Sequence, residues 1–135
     1  MQKRFLIFGG FSAAICVILG AMGAHFLKMK LESGIVTISD LQTFETAVKY
    51  QMYHSLALIL LASLNDRLKD KLFQKAAYCF MLGIVLFSGS LYLLATANLI
   101  GLPTMRWLGP ITPIGGLFFI AGWVIVGFAG LKRRD

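Results

Sequence analysis

The chain has 135 residues, 58% of them hydrophobic and 14% charged, with a mean hydropathy of +0.77. A water-soluble domain of this length needs more polar surface than that, so the composition excludes one and indicates a membrane protein. The formal net charge of +7 does not indicate a nucleic-acid partner: the basic residues flank apolar stretches and form no stripe with interleaved aromatics, which suits anionic lipid headgroups instead.

The first predicted span covers about residues 5–27, after Lys3 and Arg4. A secretory signal begins in the same way, but this apolar run is longer than a signal core of roughly 7–15 residues. It also carries small residues at four-residue spacing, Gly9/Ala13, Gly10/Ala14 and Gly20/Ala24, which let another helix come close. A retained helix is expected. Cys16 lies in this span and Cys79 in the third. Neither stands in a CxxC or zinc spacing, so both read as buried, inert thiols.

Lys28 to Ile38 reads as an interfacial loop, and Ser39-Asp40-Leu41-Gln42 as a capping box with Ser39 at the N-cap. The helix that follows has a purely apolar part, Ser55 to Leu64, too short to cross a bilayer. About 20 residues are needed for a crossing, which brings Lys49, Tyr50, Gln51 and His54 into the predicted second span, 45–64. After a charged turn, Asn65 to Lys71, the third span covers about 72–97. A loop from Asn98 to Leu108 carries Pro103, Arg106 and an interfacial Trp107. Gly109-Pro110-Ile111-Thr112-Pro113 opens the fourth span, 110–131, proline being suited to a first helical turn.

The expected fold is therefore an all-α membrane protein, a single four-transmembrane-helix domain over residues 1–135. Its orientation follows from the loops. Lys3, Arg4, Arg67, Lys69, Lys71, Lys75, Lys132, Arg133 and Arg134 fall on one side, and Lys28, Lys30, Lys49 and Arg106 on the other. The richer side belongs in the cytoplasm, which places both termini there.

Several strings carry a resemblance. They are Gly20-Ala21-Met22-Gly23-Ala24-His25; Phe44-Glu45-Thr46-Ala47 with Tyr50 and His54-Ser55-Leu56-Ala57-Leu58; Leu86-Phe87-Ser88-Gly89-Ser90-Leu91-Tyr92; and Gly109-Pro110-Ile111-Thr112-Pro113-Ile114-Gly115-Gly116. Taken in order, these make the chain resemble the domain-of-unknown-function 423 family of YgdD-like inner-membrane proteins, with transmembrane protein 256 of animals as a distant relative. Met22 and Ser55 stand where the family pattern leads one to expect Phe and Ala. The resemblance implies a four-helix protein of the cell inner membrane and implies no activity.

The candidate site residues are His25, Glu45, Lys49, Tyr50, His54, Ser88, Ser90 and Thr112. His25 falls in the headgroup region, whereas His54 lies about 15 Å from the inner boundary, near mid-membrane. A bis-histidine haem or shared metal needs both rings at one level, so no cofactor is expected. His25 reads as a helix-end or phosphate contact, and Glu45 with Lys49 as an interfacial i,i+4 ion pair. His54 has two readings: a neutral imidazole hydrogen-bonded inside the bundle, by Tyr50, Ser88, Ser90 or Thr112, or a proton-linked or ligand-binding group. Because these polar groups gather in the predicted outward half, a shallow polar pocket open to the outside is a further expectation.

Three functions follow. The first is a non-enzymatic structural, assembly or interaction component, with membrane lipids, a second copy or other membrane proteins as partners. The second is a small transporter or channel subunit, for which only His54 could replace the buried carboxylate that small multidrug exporters use. The third, an enzyme, lacks any nucleophile–base set or phosphate-cradling loop.

Overall fold

The computed structural model describes residues 2–68, 71–102 and 105–131. Among them every regular element is helical. Pro103, Lys69 and the basic run Lys132, Arg133 and Arg134 lie outside the described residues, and the side chains of Arg67 and Arg106 are not described.

Four rods result. The first is α1 (Gln2–Met22), continued by a π turn (Gly23–Leu27) into α2 (Lys28–Glu32). The second is α3 (Ile38–Leu68). The third is α4 (Lys71–Gly83), a π turn (Ile84–Ser88) and α5 (Gly89–Thr96); a 3-10 turn (Met105–Leu108) leads to the fourth, α6 (Ile111–Leu131).

Besides the end of α3, which runs on to Leu68 through the first part of the expected Asn65 to Lys71 turn, two boundaries differ from the sequence reading. Lys28 to Glu32 is helix and not loop, because Lys, Met, Leu and Glu are all good helix formers. The rod ends at Gly34, whose φ of 78° only glycine adopts cheaply. There the Gly34 amide bonds the Leu31 carbonyl and the Ile35 amide that of Lys30, the paired bonds of a Schellman end. The second correction concerns the cap of α3. Thr37, not Ser39, is the N-cap: the Asp40 amide donates to Thr37 Oγ1 (3.1 Å) and the Thr37 amide to Asp40 Oδ2 (2.9 Å). Buried Val36 packs near Leu41, a hydrophobic staple that fixes the chain's angle of entry.

Neighbouring rods are antiparallel, and residue types explain their closeness. On the first rod, Gly9, Ser12, Cys16, Gly20 and Gly23 recur every three or four residues and face α3. A Cβ on Gly9 would lie 3.0 Å from the Ser55 carbonyl oxygen, and one on Gly23 3.0 Å from the Phe44 ring. Gly10 faces open space, so only part of the small-residue pattern is a contact surface. Between the third and fourth rods the fit is reciprocal: Phe119 lies over Gly83, Phe80 over Gly122, and Gly115 against the backbone of Phe87 in the π turn. The third rod changes partner along its length, with α4 packed mainly on α6 and α5 mainly on α3.

Three rods are long and apolar enough to cross a membrane: Lys3–Glu32, Lys71–Thr96 and Ile111–Leu131. Their outer faces carry large apolar side chains, such as Phe11 at 70% exposure and Ile18 at 67%, a surface that hydrocarbon and not water solvates. The second rod falls short in apolarity, since Lys49, Gln51 and His54 interrupt it. It is nevertheless the hub, touching α1, α4, α5 and both π turns.

Candidate functional site

The predicted site residues do not form one cluster. The structure divides them into five places. His25 is exposed beside Lys28, Met29 and Glu32 at the α2 end, remote in the fold from the surroundings of His54. Glu45 and Lys49 are exposed, and among the described residues the ion pair expected of them does not form, because two long side chains lose more freedom than a surface charge pair returns. Ser88 and the Ser90–Thr112 pair serve two different helix contacts. Tyr50 meets His54, as Ser90 meets Thr112, and no larger group of them comes together among the described residues.

His54 is 3% exposed although it sits on a rod among lipid-facing helices. Its Nδ1 lies 2.7 Å from the Tyr50 carbonyl oxygen, and Trp123 Nε1 donates to its Nε2 at 3.1 Å. A carbonyl can only accept and an indole N–H can only donate, so Nδ1 carries the proton and the ring is neutral with both nitrogens satisfied. Phe119 stacks on it at 3.5 Å between centroids and 10° between planes, and Phe80 and Trp123 close the remaining sides. Of the expected partners only Tyr50 is used, and through its backbone. Trp123 was the partner not foreseen. The signal was present: a tryptophan thirteen residues into a 21-residue span is far from the interface where tryptophan normally lies.

A second polar layer lies between α1, α3 and α5; Ser12, Ser55 and Tyr92, which help to build it, are not among the residues that the sequence reading makes candidates. Gln51 donates from Nε2 to the Ser12 carbonyl (3.0 Å) and Ser12 Oγ (3.2 Å), and its Oε1 accepts from the Tyr92 hydroxyl at 2.6 Å. The Ser55 hydroxyl donates its one proton to the Gln51 carbonyl at 2.7 Å, and Ser12 Oγ lies 2.8 Å from it, free to donate in turn. Cys16 donates to the Val48 carbonyl at 3.0 Å, so this thiol joins helices and does not merely fill space. Ser88 Oγ donates to the Ala47 carbonyl at 2.9 Å. Ser90 donates to the Phe87 carbonyl, which leaves Thr112 to donate to Ser90 across 2.6 Å.

Among the described residues the candidates therefore do not line one shared outward-opening pocket. Where it was expected, Leu27, Val36, Phe44 and Ala95 form a buried apolar cluster, with Leu41, Val48 and Leu99 packed against it. The buried polar groups satisfy one another below that plug. Among the described residues no three His, Cys, Asp or Glu side chains converge, so no ligand set for a metal is assembled. Among the described residues, grooves on the helix surfaces include one of about 510 Å³ beside Arg4, Phe8 and Met81 and one of about 530 Å³ beside Tyr50, His54 and Trp123.

Comparison with known proteins agrees with this architecture. The family described as "Protein of unknown function (DUF423)" matches residues 19–116. The chain is similar to the UPF0382 membrane protein SH2409 of Staphylococcus haemolyticus, 42% identical over 97% of this chain and 98% of that one. It is similar to the UPF0382 membrane protein YwdK of Bacillus subtilis, 40% identical with the same coverage. The UPF0382 inner membrane protein YgdD of Escherichia coli is 41% identical over 99% of this chain and 96% of its own. No solved structure matches. With its lipid-facing helices and a family match over most of its length, this multi-pass membrane protein belongs to the DUF423 family.

Proposed function

We propose that the chain is a single domain that crosses the bilayer four times, with both ends on the cytoplasmic side, and acts as a non-enzymatic packing or interaction component. The fourth crossing is α3. At 31 residues it is about 46 Å long, it runs antiparallel to both neighbours, and its polar residues Gln51, His54 and Ser55 are buried against other helices. A helix too polar for lipid on its own is carried through lipid by its neighbours. The excess of Lys and Arg at one end of the bundle supports the orientation.

One observation carries the functional reading: the buried polar side chains bond across helix contacts, and an apolar cluster fills the bundle at the end that holds Val36 and Leu99. Such bonds fix one helix arrangement. They offer neither a nucleophile beside a base nor a polar path between the two water phases.

Two measurements test this. Alkaline phosphatase fused after Leu131 should be inactive, and fused after Ile100 active; the reverse pattern, or equal activity, refutes the orientation. Proteoliposomes carrying the protein should pass protons and potassium no faster than empty vesicles. A protein-dependent flux that His54→Phe abolishes would replace the packing role with transport.

A further inference from the structure

The groove beside Tyr50 opens on the outer surface of the bundle beside the middle of α6 and, with α3 crossing the bilayer as proposed above, lies within the membrane. Phe119 and Trp123 are the ninth and thirteenth residues of the 21-residue α6, and Tyr50 and Tyr53 the thirteenth and sixteenth of the 31-residue α3. Its volume is about 530 Å³, within the range of small-molecule sites. Rings line it: Tyr50 packs on Phe87 at 4.8 Å, and the His54–Phe119 stack continues the wall to Trp123. Gly116 leaves one side open, since a Cβ there would meet only the Phe87 ring, at 3.7 Å.

Two features of this groove are costly as they stand. Tyr50 and Tyr53 are 40% and 57% exposed, and among the described residues neither hydroxyl forms a hydrogen bond. At this depth no water is available to accept from them. Tyrosine and tryptophan also favour the membrane interface over its centre. An occupant with hydrogen-bond acceptors removes both costs. An acyl chain has no acceptor at mid-membrane, and a water-soluble molecule has no route through the apolar plug. A second helix approaches over small residues, whereas Tyr53, Ile120 and Trp123 make this rim bulky.

We propose that the groove binds the ring of a quinone-class lipid, a flat, hydrocarbon-soluble ring bearing carbonyl acceptors. The Tyr50 and Tyr53 hydroxyls donate to the carbonyl oxygens, and the aromatic walls hold the ring by stacking. This goes beyond the packing role by adding a ligand, and it does not depend on which end of the bundle faces the cytoplasm.

The chain has two tryptophans, so Trp107→Phe leaves Trp123 as the sole reporter. In phosphatidylcholine nanodiscs, decylubiquinone should quench Trp123 saturably, and decylbenzene, which lacks carbonyls, should not. Tyr50→Phe with Tyr53→Phe should raise the half-saturating concentration about tenfold or more while leaving helicity and thermal midpoint unchanged. Gly116→Leu should block the groove and abolish saturation. Linear quenching, equal in the parent and the double tyrosine variant, means partition into lipid and overturns the proposal. So does a cross-linked dimer formed through Ile120→Cys whose formation prevents quenching, because a second copy then fills the groove. Should Gly116→Leu not fold, the double tyrosine variant decides alone, since its lost hydroxyls bond nothing in the described bundle.

Discussion

Gly115→Ala should destabilise the bundle by about 3 kcal/mol, the upper end for overpacking a tight contact, while the same change at Gly116 should be nearly silent. The two glycines are adjacent on α6 and differ only in what they face. A Cβ on Gly115 would fall on the backbone of Phe87 and Leu86, inside the closest approach of real Cβ atoms. Backbone cannot rotate aside, so the contact between the third and fourth rods must part, and with it the seating of Phe119 on Gly83 and of Phe80 on Gly122. A Cβ on Gly116 makes ordinary contact with the Phe87 ring, and alanine's better helix propensity offsets any adjustment, by up to about 1 kcal/mol. Unfolding in mixed micelles, followed by loss of helicity against SDS mole fraction, measures both. Equal stability of the two variants would show that Gly115 does not lie at a backbone crossing.

His54→Ala should cost about 3 kcal/mol, from a cavity among rings, a lost stack and two lost hydrogen bonds. His54→Phe separates these contributions. It keeps the volume and the stack on Phe119 but leaves the Trp123 N–H without its acceptor, so its cost should fall to about 1–2 kcal/mol. Trp123→Phe should cost a similar amount. The two changes together should cost less than their sum, since each removes the same bond. Strict additivity in that double-mutant cycle would mean that the indole and the imidazole do not interact. The same unfolding assay, run on all four proteins at one pH, gives the answer.

How far the sequence reaches into this molecule depends on the solvent that shaped each part. The three apolar rods were legible because hydrocarbon demands long runs of apolar residues, and 5–27, 72–97 and 110–131 supply them. The second rod was legible as a helix through its counted length and not through its apolarity, because its solvent is partly other protein. Its cap was misplaced by two residues: Gln42 is the commoner capping-box partner, but the buried Val36 selects Thr37 with Asp40. His54 was recognised as needing a partner, since an imidazole in lipid must have one. Which partner it has is a matter of how helices are rotated against one another, and residue spacing within one helix carries no such information. For the same reason Gln51, Ser12 and Tyr92, 39 and 41 residues apart in the chain for the two pairs, could not be assembled beforehand, and among the described residues the candidates do not line one shared outward-opening pocket.

The π turn at Ile84–Ser88 explains how one rod serves two partners. A π turn holds one residue more than an α turn, which advances everything beyond it by about 100° around the axis. Residues before it, Phe80 and Gly83, are phased for α6; those after it, Tyr92 and Ala95, are phased for α3 and its surroundings. Trimming a single residue there, such as the exposed Val85, would leave an unbroken helix of almost the same length with its two ends out of phase. The spacing of side chains along this rod is thus tied to a surplus residue, and insertions or deletions in the gene are far less neutral here than at the helix ends.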